Sequence, residues 1–215
     1  MDKKAVLERI TTIGVIPVIR ARSADEAAQA IAAIQAGGIS VLEITMTVPG
    51  AVELIRDVAL RAKDALVGAG TVLEPETARA CIAAGARFVV SPALNLLTIE
   101  ACRDAGIAVL PGALTPTEVV TAWNAGADLV KIFPANALGG PSYIKSLKAP
   151  LPQIGLVPTG GVNLQTAKDF IKAGAAALGV GADLVDLQAL RRGDAALITE
   201  RARKFLSLVQ EARAE

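Results

Sequence analysis

Histidine is absent from this 215-residue chain, and aromatic residues make up only 3% of it, four Phe with a single Trp and a single Tyr. Histidine is the commonest metal ligand and the side chain that titrates nearest neutral pH, so its absence excludes a histidine-caged zinc centre and any histidine acid–base step. Chemistry here must run on Lys, carboxylates, hydroxyls or backbone groups, which leaves open a magnesium site built of carboxylates. The two cysteines, Cys81 and Cys102, have no metal-ligand spacing around them and fall in stretches of helical pattern, ETARACIAAG and IEACRDAG. They read as two reduced, buried thiols of a cytoplasmic protein. Neither sign of charge dominates, since 22 Lys plus Arg against 21 Asp plus Glu leave a net +1. No nucleic acid and no anionic membrane is therefore expected as a partner, and any anion binding must be local. The apolar run that ends at Arg20 is seven residues long, too short for a signal peptide or a membrane span.

What the chain has in quantity is small aliphatic residues: the hydrophobic fraction is 53%, enough for the core of one compact domain over residues 1–215. Eight short apolar runs recur between longer helical patterns: VIPVIRA, VLEITMT, LVGAGTV, FVVSPAL, AVLPGAL, LVKIFPA, GLVPTGGV and ALGVGADLV. An Ala-Gly pair closes five of the intervening helices, at Gly37, Gly85, Gly106, Gly126 and Gly174, where glycine can take the left-handed conformation that stops a helix. Alternating strands and helices, with near-continuous apolar strands, predict an α/β fold with a parallel sheet, and eight units are the number that closes a (β/α)8 TIM barrel. A doubly wound open sheet would carry a glycine-rich turn after its first strand, and VIPVIRARSADEA has none. A short N-terminal helix precedes the barrel. The C-terminal segment LRRGDAALITERARKFLSLVQEARAE reads as one amphipathic helix closing it, with Ile198, Ala202, Phe205 and Val209 on one stripe.

In such a barrel the chemistry belongs at the C-terminal strand ends. Lys131 stands in LVKIFP and shares a strand face with Leu129 and Phe133. A lysine turned into an apolar interior is costly without a purpose, and a desolvated amine is the nucleophile of Schiff-base enzymes. Glu43 in VLEITMT faces the same way as Thr45 and Thr47, and is the carboxylate available for general acid–base work or, alternatively, for pairing with the lysine. Arg20 and Thr71 end the first and third strands, placed to hold a substrate carboxylate. Gly160 and Gly161 in PTGGV, with Gly179 and Gly181 in GVGAD, follow the seventh and eighth strands, where barrels commonly bind phosphate on bare N–H groups.

With these residues in view, the chain resembles the 2-keto-3-deoxy-6-phosphogluconate (KDPG) aldolases, which also act on 4-hydroxy-2-oxoglutarate (KHG). The matching segments are PVIR, VLEIT, VGAGTV, the SP after the fourth strand, the PG after the fifth, KIFPA, PTGGV and GVGADLV. The resemblance implies a class I lyase needing no metal and no cofactor, with Lys131 as the Schiff-base lysine and Glu43 as the acid and base. The products it implies are pyruvate and glyceraldehyde 3-phosphate. It further implies that Thr71 and an arginine hold the pyruvate carboxylate, that Gly160, Gly161, Gly181 and Ala182 line the phosphate site, that Pro92 and Phe133 wall the pocket, and that the protein is a homotrimer. Two departures stand out. The chain reads ITMT where some members carry an arginine in LRT, so the clamp falls to Arg20; and Ala182 replaces a serine that binds phosphate, which removes a hydrogen bond of ~1.5 to 3 kcal/mol. KIFPANALGGPSYIKSLK is also similar to the 2-keto-3-deoxy-6-phosphogalactonate aldolases. Outside the family, a magnesium-dependent pyruvate aldolase built on Glu43 and a non-catalytic barrel that binds a phosphorylated sugar acid are the competing readings.

Overall fold

The computed structural model describes residues 1–62 and 64–215. Parallel strands alternate with helices along the chain. The strands are β1 (Val15–Ile19), β2 (Val41–Thr45), β3 (Leu66–Gly70), β4 (Phe88–Val90), β5 (Ala108–Leu110), β6 (Gly112–Ala113), β7 (Val130–Ile132), β8 (Leu156–Pro158) and β9 (Leu178–Val180). They form a six-stranded sheet in the order β5-β4-β3-β2-β1-β9 and a three-stranded sheet in the order β6-β7-β8, every pair parallel. The predicted run AVLPGAL is thus two segments rather than one strand, broken at Pro111, which has no N–H to donate to a ladder. At the other seam, single parallel bridges join Leu156 to Ala175 and Thr159 to Gly179.

Ten α-helices occur among the described residues: α1 (Lys3–Ile13), which turns Val6 and Ile10 to the concave side, and α2 (Ala24–Ala36), α3 (Ala51–Arg61), α4 (Pro75–Ala83), α5 (Leu96–Asp104), α6 (Pro116–Asn124), α7 (Pro141–Lys148), α8 (Ala167–Lys172), α9 (Leu187–Arg191) and α10 (Ala195–Ala214). Capping fixes several of their starts: Ser23 Oγ accepts from Glu26 N, and Thr115 and Glu118 form a reciprocal capping box. The main core lies between sheet and helices. A second core fills the concave side of the sheet, with Ile16, Val41, Leu66, Phe88, Leu129 and Val157 from the strands and Val6 and Ile10 from α1.

The expected C-terminal helix is two helices. Gly193 at φ +82° and Asp194, whose side chain accepts from Leu197 N, separate α9 from α10. The predicted stripe Ile198, Ala202, Phe205 and Val209 is buried along α10, and Ala212 continues it. Its last turn reaches back to the first helix: Arg213 donates to Thr12 O at 2.8 Å and Thr11 O at 2.6 Å, through the space left by the missing side chain of Gly14. The helix-stop expectation holds at Gly85, Gly106, Gly126 and Gly174, all at positive φ, and fails at Gly37, which is right-handed at φ −83° while Gly38 takes the left-handed conformation. Gly37 serves proximity instead, since a Cβ there would lie 2.4 Å from Ala202 Cβ and 2.7 Å from Thr199 O on α10. Both cysteines are buried and unbridged. Burial pushes the Cys81 thiol up to about 11, and burial together with the Asp128 charge pushes Cys102 up to about 12, so both stay protonated at neutral pH. No described helix is long and apolar enough to cross a membrane. Gly37→Ala forces α2 and α10 apart and is expected to cost about 1–3 kcal/mol, read as a lower denaturant midpoint at unchanged slope.

Candidate active site

Register places the two chemical side chains. Glu43 on β2 pairs with Val18 on β1 and Gly68 on β3, while Lys131 on β7 pairs with Gly112 on β6 and Val157 on β8. Neighbours in parallel register point to one face, so both enter the concave interior above its apolar filling. Each residue is 2% exposed, and Lys131 Nζ stands 3.9 Å from Glu43 Oε1. That oxygen is buried and has no hydrogen-bond partner among the described residues. Two opposite unit charges at this separation attract by about 4 kcal/mol at an effective dielectric constant of ~20. Taking each ion out of water costs several kcal/mol, so the pair is a poor source of stability and is better understood as a chemical one.

Glycines make room for the pair. A Cβ on Gly70 would lie 2.1 Å from Glu43 Oε1, and one on Gly68 would lie 2.4 Å from the Phe88 ring that floors the site. Phe133 covers the amine from the other side, its ring centroid 5.4 Å from Lys131 Nζ, and Phe133 is joined to Pro134 by a cis peptide. Pro92 closes on β6, where a Cβ at Gly112 would lie 2.3 Å from the Pro92 carbonyl, which is why that position in PG must be glycine. Thr45, fully buried, donates to Ile19 O at 2.9 Å and shares a 2.6 Å hydrogen bond with Thr47, which ties the ends of β1 and β2. Thr71 follows β3 at φ +58°, a left-handed conformation rare for a β-branched residue and of the kind that clusters at functional sites.

Beside this pair lies a cleft of about 160 Å³ lined by Val18, Arg20, Phe133, Thr159 and the glycine loops after β8 and β9, including Gly160, Gly161, Gly179, Gly181 and Ala182. Gly160 and Gly161 are both left-handed, and the 3-10 turn Ala135–Leu138 packs against them, so that a Cβ on Gly161 would lie 2.5 Å from Asn136 Cβ. Gly179 leaves space for Thr159, whose Oγ1 sits 2.1 Å from where a Cβ would project. Arg20 is exposed and is the one positively charged side chain lining the cleft among the described residues; its Nη1 lies 3.9 Å from the Cβ position of Gly181. The structure therefore brings together Lys131, Glu43 and Phe133, and separately Arg20 with the four predicted cleft residues, the two groups meeting at Phe133. Thr71 does not line that cleft, and no hydrogen bond joins it to Arg20. Sequence reasoning passed over Gly70, Thr159 and Asn136: the first two sit in segments it used for other residues, and Asn136 carries only the signal of preceding a Gly-Gly pair. No group of three or more acidic or thiol side chains placed to hold a metal ion occurs among the described residues.

Comparison with known proteins places this chain among relatives of one kind. The family described as KDPG and KHG aldolase matches residues 6–201. A 2-dehydro-3-deoxy-phosphogluconate aldolase of Dickeya dadantii is 37% identical over 95% of this chain and 96% of its own. A 2-dehydro-3-deoxy-6-phosphogalactonate aldolase of Escherichia coli is 38% identical over 81% of this chain and 85% of its own. Among solved structures, the KDPG aldolase of Legionella pneumophila, with pyruvate captured as a covalent carbinolamine intermediate, superposes with a TM-score of 0.85 at 32% identity, covering 94% of this chain and 97% of its own. Because Thr71 is held in a conformation that glycine adopts freely, Thr71→Gly is expected to leave the melting temperature no lower than that of the parent, measured by calorimetry, despite the added entropy of the unfolded chain.

Proposed function

The chain belongs to the KDPG and KHG aldolase family, and on that premise we propose that it is a class I aldolase cleaving 2-keto-3-deoxy-6-phosphogluconate to pyruvate and glyceraldehyde 3-phosphate through Lys131. The observation that carries this assignment is the buried amine of Lys131 facing the unpartnered oxygen of Glu43 at 3.9 Å. The Lys131 amine adds to the C2 carbonyl, and loss of water from the carbinolamine leaves an iminium. Glu43 takes the proton of the C4 hydroxyl as the C3–C4 bond breaks, its electrons passing into the iminium to give an enamine and free glyceraldehyde 3-phosphate. The protonated Glu43 then returns a proton to C3, and water hydrolyses the pyruvate iminium. Atoms balance without any metal or redox partner, so no cofactor is invoked.

Around this core the substrate's two anionic ends need holders. We assign Thr71 to the keto-acid carboxylate and, because Arg20 lines the glycine cleft and Thr71 does not, we move Arg20 from the expected carboxylate clamp to the phosphate, beside the backbone N–H groups of Gly160, Gly161, Gly181 and Ala182, with Pro92 and Phe133 as walls. The exposed guanidinium of Arg20 on the glycine cleft also supplies positive charge where Ala182 offers no hydroxyl. 4-Hydroxy-2-oxoglutarate, which carries no phosphate, loses nothing by that alanine and is proposed as a second substrate. The 38% identity to a phosphogalactonate aldolase favours one further reading, the C4 epimer as substrate. We read the two sheets as one eight-stranded (β/α)8 barrel, β5 and β6 counting as a single strand broken at Pro111 and β8 meeting β9 through the Thr159–Gly179 bridge. Assembly as a cytoplasmic homotrimer belongs to the same proposal; exposed Leu73, Leu96 and Leu97, gathered where Asn95 Nδ2 donates to Leu73 O, offer apolar surface for it.

Incubation with pyruvate and sodium borohydride is expected to add one reduced pyruvate to the mass, mapped to Lys131, with neither labelling nor cleavage after Lys131→Ala and no loss of activity in EDTA. An adduct on another lysine, or an unmodified protein, would overturn the assignment. Gly70→Ala, which drives a methyl group into the place of Glu43 Oε1, is expected to lower kcat by about a hundredfold while pyruvate trapping on Lys131 persists.

A further inference from the structure

At the end of the sheet remote from Lys131 lies a cavity of about 630 Å³, within the ~300–1,000 Å³ range of small-molecule sites. It opens where β3 begins at Leu66 and Val67 and just ahead of β4. Three guanidinium groups from three different elements line it: Arg9 of α1, Arg56 of α3, and Arg87, which directly precedes β4. Met1 lines it too, and no carboxylate side chain does among the described residues. It shares no lining residue with the glycine cleft.

Arg9 is fixed in place, donating to Ser40 Oγ at 3.2 Å and to Asp64 O. The guanidinium groups of Arg56 and Arg87 make no hydrogen bond or ion pair with any other described side chain or carbonyl. Several cations elsewhere are matched by a carboxylate, Lys3 with Asp128, Arg191 with Glu26 and Arg201 with Asp186, whereas this cavity gathers three arginines with no carboxylate among its described lining residues. Like charges brought to one concave, partly apolar surface repel one another and raise the local concentration of counter-ions. The planar forks of arginine suit phosphate and carboxylate oxygens in particular. Ala59, Leu60, Leu66 and Ala84 supply an apolar floor for a short carbon skeleton.

We propose that this cavity is a second anion site, binding a small multivalent anion that carries phosphate or carboxylate groups, held by Arg9, Arg56 and Arg87. The site is separate from catalysis but lies on a strand that reaches it: β3 runs from the cavity at Leu66 to Gly70 against Glu43, ~13 Å at 3.3 Å per residue.

Pyrophosphate titrated into the ¹⁵N-labelled full chain tests the proposal, with the arginine Nε–Hε resonances as readout. Saturable shifts of Arg9, Arg56 and Arg87 are expected, weakening as salt is raised. The paired substitution Arg56→Gln and Arg87→Gln is expected to weaken that binding at least about tenfold, with kcat/KM for aldol cleavage unchanged. Shifts confined to Arg20 and the amides of Gly160, Gly161 and Gly181, or non-saturating shifts shared by all exposed arginines, would overturn it. Because the parent spectrum alone discriminates these outcomes, the proposal stays testable if the paired variant fails to fold, and the cleavage assay reports separately on the catalytic assignment.

Discussion

An amine and a carboxylate held out of water, 3.9 Å apart on the concave face of a parallel sheet, are what the surrounding structure is arranged to accommodate. Their desolvation is offset only in part by their attraction, so the pair persists because the rest of the fold holds it. That support is largely steric. Gly70 gives the carboxylate its place, Gly68 admits the Phe88 ring beneath it, Phe133 screens the amine, and the interior below is filled by aliphatic side chains that leave no room for the two groups to turn away.

The pattern of glycines follows from that constraint and from two others. Some, such as Gly85 and Gly126, end helices in the left-handed region. Others are there because two segments touch: Gly37 between α2 and α10, Gly112 against Pro92, Gly179 against Thr159. Gly160 and Gly161 do both, left-handed and pressed upon Asn136, which leaves their N–H groups bare beside Arg20. A chain with this many close backbone approaches tolerates few added methyl groups near the site, and its rigidity there comes from missing side chains as much as from those present.

Much of this was legible in the sequence because each signal was local. Strand runs from VIPVI to ALGV, the helix stops at Gly85, Gly106, Gly126 and Gly174, and the stripe on α10 depend on periodicity or on one residue's conformational freedom, and all appear in the structure. Lys131 and Glu43 could be singled out because a charge within an apolar run is conspicuous. What escaped was tertiary. Pro111 divides a strand whose hydrophobic pattern is unbroken, and Gly193 with the Asp194 cap divides a helix whose stripe continues past the break. The role of Gly37 depends on Ala202 and Thr199, far away in the chain. That the glycine cleft is lined by Arg20 and not by Thr71 depends on how the strand ends are arranged around the mouth, which no spacing encodes.

The hook of Arg213 on Thr11 and Thr12 has an implication for synthesis. Its two hydrogen bonds span 202 and 201 residues of sequence, so they form only after Arg213 has left the ribosome. Until then α1, whose Val6 and Ile10 fill the bottom of the sheet interior, lacks the clamp on its last turn. Helix–strand units can pair as they emerge, each with the one before it, but the first helix is fastened by one of the last. The clamp on the first helix therefore waits for the last described helix, and the apolar interior beneath Lys131 and Glu43 is held at its base by a contact between the two helices most distant in the described sequence.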